Sequence, residues 1–171
     1  MTKIKFGIEL ETLCPDGTTR RILNSLPSHR GVDGNQQDWH TCGDGSLRPN
    51  DDEVGCEFVS GVHEFDASSI SWLYESTKLM KSGGARVNRS CGFHLSTSTF
   101  AMDSQKLHQF LKMAKHYQQV FIGIGACPNR ENADWCKPWS NDMMPSINPD
   151  SISESNIPTA VRHKYRWLNI G

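Results

Sequence analysis

Apolar and polar residues alternate from the fourth position of the chain. Ile4, Phe6, Ile8 and Leu10 are interleaved with Lys5, Gly7, Glu9 and Glu11. A period of two marks a strand, whose successive side chains point to opposite faces. Residues 3–12 therefore read as a first strand with one face turned to a core. Residues 18–27 read as a short helix ending near Pro27, and residues 28–38, rich in Gly, Asp and Asn, as loop. Trp39–Cys42 reads as a short strand and Val54–Ser60 as a third, with turns at residues 43–46 and 50–52. Asp66 has the position of an N-cap for a helix over 67–82, with an inward stripe of Ile70, Leu73, Thr77 and Met80 and a stop at Gly83-Gly84. Residues 85–99 form one long strand or two pieces. Asp103 opens a second long helix to about Val120, with a stripe of Leu107, Phe110, Leu111, Ala114 and Tyr117. Phe121–Ala126 reads as a short strand, residues 127–158 as long irregular structure, and residues 159–169 as a helical turn leading into another strand.

This order predicts an α+β domain: a largely antiparallel sheet with two main helices packed on one face. The polar face is then left for chemistry. The 171 residues suffice for a single domain spanning 1–171 with its own core. Mean hydropathy is −0.55. No apolar run approaches the roughly 18 residues of a transmembrane helix. The chain opens directly on a strand pattern without a charged-then-apolar leader, so the expectation is a cytoplasmic protein. Eighteen basic and 19 acidic residues give a net charge of −1, which argues against a nucleic-acid footprint over the whole surface. A local basic cluster near the C-terminus (Arg162, His163, Lys164, Arg166) suits an anionic ligand. The six cysteines show no C-x-x-C spacing, so free, mostly buried thiols are expected.

Glu9 and Glu11 stand side by side on the polar face of the first strand. At roughly 4–6 Å and an effective dielectric near 20, two such charges repel by about 3–4 kcal/mol. A divalent cation, an arginine or solvation would each remove that cost. Two later segments carry the same parity. Glu57 points away from Cys56 and Phe58, and His94 points away from Phe93 and Leu95. If these strands are neighbours, one face gathers Glu9, Glu11, Glu57 and His94. Carboxylates with one imidazole suit magnesium or manganese. Gly7, Gly55 and Gly92 beside them would let a ligand approach the sheet. Each residue alone has an ordinary explanation, a solvated carboxylate or a hydrogen-bonded histidine; the joint pattern adds a metal site as a candidate beside these.

Several segments together resemble the amidoligase family, within the wider glutamine synthetase and glutamate–cysteine ligase superfamily. They are Phe6-Gly7-Ile8-Glu9-Leu10-Glu11, Trp39 with Asp44-Gly45-Ser46, Glu57-Phe58-Val59-Ser60, and Cys91-Gly92-Phe93-His94-Leu95-Ser96. Arg130 and Asn132, then Arg162, Tyr165 and Asn169, follow in family order. The resemblance implies a glutamine synthetase-like catalytic half that joins a carboxylate to an amine through an acyl phosphate, with ATP and Mg2+ (or Mn2+) as cofactors. It makes Glu9, Glu11, Glu57 and His94 metal ligands and gives Arg130 and Arg162 catalytic contacts to phosphate or substrate carboxylate. His94, Ser96, Asn132 and Asn169 would bind the nucleotide, and Asp44 and Ser46 would shape the rim. Members of the family continue past the Tyr-x-x-Leu-Asn segment into a strand bearing another glutamate and arginine. The expectation here is a shortened relative, or a domain whose remainder lies elsewhere or comes from another subunit; an unfinished sheet edge after residue 169 invites pairing with another chain.

The resemblance implies small-molecule or peptide carboxylate and amine substrates. The alternative is a catalytically inactive binding module on the same scaffold, for a partner protein or nucleotide, as a shortened viral or mobile-element protein would be. Residues 133–145, with Trp135, Pro138 and Trp139, would suit a protein interface, or a loop pinned by its own buried aromatics. A metal-dependent hydrolase on the same carboxylates finds no specific pairing of nucleophile and base.

Overall fold

The structure is a computed structural model that describes residues 4–30, 36–97 and 103–125. The chain divides into two units, Met1–Thr99 and Phe100–Gly171.

In the first unit, strand β1 (Lys5–Pro15) is central. Phe6 and Ile8 are buried as the alternation predicts. The strand then runs three residues beyond its predicted end, and Glu11, Thr12, Leu13 and Cys14 are all buried. Both parities are covered there: Cys14 joins the main core, while Leu13 packs with Leu47 and Cys91 in a second cluster. A strand covered on both faces loses the alternation that marks a strand in sequence. Helix α1 (Thr19–Ser25) buries Ile22 and stops where Leu26 turns extended, as the residue before Pro27 must.

Two short strands, β2 (His29–Arg30) and β3 (Gln36–Gln37), pair antiparallel inside the predicted loop. Elements of two residues are too short for periodicity to reveal. Strands β4 (His40–Cys42), β5 (Glu53–Val59), β6 (His63–Glu64) and β7 (Phe93–Thr97) complete the main sheet. Its order is β4-β5-β1-β6, with β7 paired to β1, and every pairing is antiparallel. Residues 85–99 thus resolve into two pieces: an isolated bridge between Arg86 and Leu13, then β7.

Helix α2 (Ala67–Ser82) begins where Asp66 accepts the backbone N–H of Ser69 at 2.8 Å. It ends at Gly83-Gly84, where Gly84 takes a φ of 101°. Met80 is buried as predicted, but the rest of the buried stripe is Ser69, Trp72 and Ser76, each one residue before the predicted Ile70, Leu73 and Thr77; Ile70 is exposed and Leu73 partly buried. Indole volume decides the rotation. Trp72 stacks on Trp39 at 5.1 Å, and Trp39 Nε1 donates to Ser76 Oγ at 3.1 Å, so the serines are buried with their hydrogen bonds made. The main core holds Cys14, Ile22, Trp39, Cys56, Phe58, Trp72 and Met80. Trp39 is therefore a core residue.

On the sheet's outer run, Glu53 accepts from Arg86 through both carboxylate oxygens and from the backbone N–H of Asn50. The guanidinium and that N–H hold its carboxyl below the ordinary value of 4.5. The folded state then binds fewer protons than the unfolded chain at acid pH. Stability from this group is present above about 4.5 and lost as pH falls through the folded value. Glu53→Gln is expected to flatten that acid loss, which urea midpoints at about pH 7 and about pH 3 compare directly.

In the second unit, helix α3 (Ser104–Gly125) starts with Asp103 accepting the N–H of Lys106 at 2.8 Å. Leu107, Leu111 and Ala114 are buried as predicted; Gln118, outside the predicted stripe, is buried too, whereas Tyr117 is exposed. The helix continues through residues 121–125, so the predicted strand at Phe121–Ala126 is overturned. A short apolar run does not distinguish a strand from a helix by its pattern. Among the described residues, no helix is long and apolar enough to cross a membrane. The described fold is α+β, with a five-stranded antiparallel sheet and three helices.

Candidate metal centre

The register of three strands assembles the site. Glu9 lies opposite His94, and Glu11 lies opposite Glu57. Directly paired residues share a face, so all four project on the side away from Phe58 and the main core. Glu9, Glu57 and His94 each offer a ligand atom, and these atoms lie within 4.8 Å of one another. His94 Nδ1 is 2.9 Å from Glu9 Oε2.

Glu11 stands beside this trio with different partners. Its Oε2 accepts the backbone N–H of Gly92 at 2.5 Å, and its Oε1 lies 3.5 Å from His94 Nε2. Glu11 is buried, Glu9 and Glu57 are half-buried, and His94 is exposed.

The carboxylates leave an electrostatic signature. The Glu57 carboxyl is pushed above its ordinary 4.5 by burial, then by the negative charge of Glu9; His94 opposes this, and Glu11 and Asp44 add to it. A half-buried acid crowded by other acids is short of positive charge. Two hard oxygen donors with an imidazole fit a divalent cation of the magnesium or manganese class.

The neighbouring glycines behave differently from one another. Among the described residues, a Cβ at Gly7 would meet only Gly61 O, at 3.7 Å, so no described side chain fills the floor there, and Gly7 pairs with exposed Ser96. Gly55 and Gly92 do not make room for a ligand as predicted. A Cβ at Gly55 would come within 2.8 Å of Leu47 Cβ, and one at Gly92 within 2.9 Å of Glu11 Oε2. They permit close packing of the protein's own side chains.

Asp44 lies close enough to act on Glu57, and its Oδ1 accepts the Ser46 N–H at 2.7 Å, so the turn is folded onto itself beside the trio. Phe93 and Leu95 lie on the opposite face of β7 from His94 but are exposed at 52% and 53%, where the sequence predicted burial. The strand alternation survives, but among the described residues nothing buries this pair. Cys42 escaped the sequence reading. It pairs with Glu57 on the same face and is exposed, a position that strand parity across residues 39–42 would have indicated. Cys14, Cys56 and Cys91 are buried, and burial pushes the Cys56 thiol up to about 12. Arg130, Asn132, Arg162 and Asn169, and the interface candidate 133–145, lie outside the described residues.

No curated protein and no solved structure matches the chain. A family model described as "Putative amidoligase enzyme" matches residues 2–169, nearly the whole sequence. That match runs through each strand that carries the acidic cluster, and the chain belongs to the amidoligase family.

Proposed function

We propose that this protein is an ATP- and Mg2+-dependent carboxylate–amine ligase. The observation that carries the reading is the convergence of Glu9, Glu57 and His94 on one open sheet face in a chain of this family. A bound magnesium ion would neutralise charge on the phosphate oxygens during transfer. Glu9, Glu57 and His94 would hold it. The open floor at Gly7, flanked by Ser96, would take the nucleotide phosphates. Arg130 and Arg162 would clamp oxyanions through their planar forks, and Asn132 and Asn169 would contact nucleotide.

In the proposed reaction a substrate carboxylate oxygen bonds to the γ-phosphorus as the bond to ADP breaks. The amine nitrogen then bonds to the acyl carbon, phosphate leaves, and the nitrogen loses a proton to solvent. The acid and amine would be small molecules or peptide groups. Cytoplasmic location and self-association belong to the same proposal.

Calorimetry of ATP binding with and without Mg2+, followed by phosphate release with panels of acids and amines, tests it. The expected result is Mg2+-dependent heat and phosphate release only when both substrates are present. Heat without release under any pair would favour the inactive binding module. No heat with ATP and Mg2+ would overturn both nucleotide readings.

A further inference from the structure

We propose a second catalytic site, on the helix side of the sheet: Ser68 is a nucleophile, His29 is its general base, and His63 is the positioning residue that aims His29. The substrate class is a carboxylic ester with an apolar acyl group. The proposal stands apart from the metal reading, because none of its residues lies on the acidic face.

Three side chains from three elements form one line of contacts. Ser68, in the first turn of α2, is exposed, and its Oγ lies 3.1 Å from His29 Nε2. His29, on β2, is half-buried, and its Nδ1 lies 3.2 Å from His63 Nδ1. His63, on β6, is fully buried opposite Phe6, with its ring 4.3 Å from that of Trp72. The line thus runs from solvent into the core. A base within reach of a hydroxyl, and itself oriented by a third group, is the arrangement that activates a serine.

One proton lies between the two facing Nδ1 atoms. When His29 carries it, His29 Nε2 is left as an acceptor for the Ser68 hydroxyl. The base can then take that proton as Ser68 attacks. Trp72 lies beside the base with ring centroids 5.5 Å apart, close enough for the indole to stabilise the imidazolium that forms. The start of α2 supplies donors for the developing oxyanion. Asp66 Oδ1 takes the N–H of Ser69 and Asp66 O takes that of Ile70, so among the described residues the N–H groups of Ala67 and Ser68 remain for it. Phe65, 61% exposed, and Ile4, 46% exposed, are joined by a bond from the Phe65 N–H to Ile4 O at 2.8 Å. They offer an apolar surface just ahead of Ser68 for the acyl group.

In the reaction, Ser68 Oγ bonds to the acyl carbon while His29 Nε2 takes the hydroxyl proton. The ester C–O bond breaks, and the alcohol leaves with that proton. Water then bonds to the acyl carbon and gives a proton to His29. The bond to Ser68 Oγ breaks, the serine regains the proton, and the carboxylic acid departs.

The test treats the full chain with a fluorophosphonate probe in the presence of EDTA, so that no cation takes part. The Ser68 Oγ–P bond forms, the P–F bond breaks, and fluoride and the hydroxyl proton leave. Peptide mass spectrometry should place the adduct on Ser68, and Ser68→Ala should abolish it. His29→Gln should slow labelling about 100-fold or more, the loss expected for a general base. His63→Leu should slow it about 10–100-fold by misplacing the base, and His63→Asn, whose amide oxygen accepts in place of Nδ1, should be faster than His63→Leu. Long-range 1H–15N spectra should show His29 protonated at Nδ1. No adduct, an adduct on another residue, a His29 proton on Nε2, wild-type labelling in His29→Gln or His63→Leu, or His63→Asn no faster than His63→Leu would each overturn the proposal. If the buried His63 variants do not fold, the adduct site, Ser68→Ala, His29→Gln and the His29 tautomer decide the question alone.

Discussion

Glu57→Gln is expected to lower divalent-cation affinity at least about 100-fold, close to 3 kcal/mol of binding free energy, while the metal-free protein stays folded. Glu57 is one of three ligand-bearing residues, and a neutral amide replaces a charged donor at the position where the other acids press hardest. The same substitution has a second, opposite effect without metal. Because the folded-state carboxyl lies above 4.5, the folded protein holds its proton more tightly than the unfolded chain. Stability then falls as pH rises from about 4.5 through the folded value, and the ionised group is a burden at neutral pH. Glu57→Gln removes that burden. The metal-free variant should be at least as stable as the wild type near neutrality. Mg2+ should raise the wild-type melting temperature, by an amount equivalent to about 2.7 kcal/mol at a hundredfold excess over Kd, and stabilise the variant by no more than about 0.4 kcal/mol. Thermal melts with and without Mg2+ read both effects. A variant that is destabilised without metal, or that still responds fully to Mg2+, would contradict the electrostatic account.

Trp72→Ala is expected to cost about 3–5 kcal/mol of folding stability, a large share of what a single domain possesses. Trp72 is 5% exposed and stands at the junction of α2 with the shorter elements. It stacks on Trp39, its ring lies 4.3 Å from that of His63 and 5.5 Å from that of His29, and its Nε1 donates to Pro27 O at 2.6 Å. One side chain thus ties α2 to the end of α1, to β2, to β6 and to the residue before β4. Trp72→Phe separates two contributions. It keeps an aromatic ring in the stack but leaves the Pro27 carbonyl without its donor, for an expected cost of about 1–3 kcal/mol. Urea unfolding of both variants would show the order wild type, Phe, Ala. Equal losses would mean that the hydrogen bond, rather than the packing, dominates.

The polar face was legible because it rests on parity alone. A period of two placed Glu9, Glu57 and His94 outward before any register was known, and antiparallel pairing through β1 brought them together. The cap at Asp66 and the stop at Gly83-Gly84 were equally local signals. What parity does not encode is which side chain claims which partner. Glu9 and Glu11 look equivalent in the sequence, yet only Glu11 has the N–H of Gly92 beside it, a consequence of residues 11 and 92 meeting across the sheet. Gly55 misled for a related reason: its missing Cβ is filled by Leu47, a contact between a loop and a strand that no periodicity reports. The rotation of α2 followed from the bulk of Trp72 outweighing Ile70, and the length of α3 from a run whose composition suits either element. Arg130, Asn132, Arg162 and Asn169 rest on the family resemblance and lie outside the described residues.

The account turns on one cation held by Glu9, Glu57 and His94. Crystals of the full chain soaked in Mn2+ and measured at an energy where manganese scatters anomalously test it most directly. The predicted result is a single anomalous peak on the open sheet face, coordinated by carboxylate oxygens of Glu9 and Glu57 and by His94. A peak elsewhere, or no peak on this face at saturating Mn2+, would contradict it.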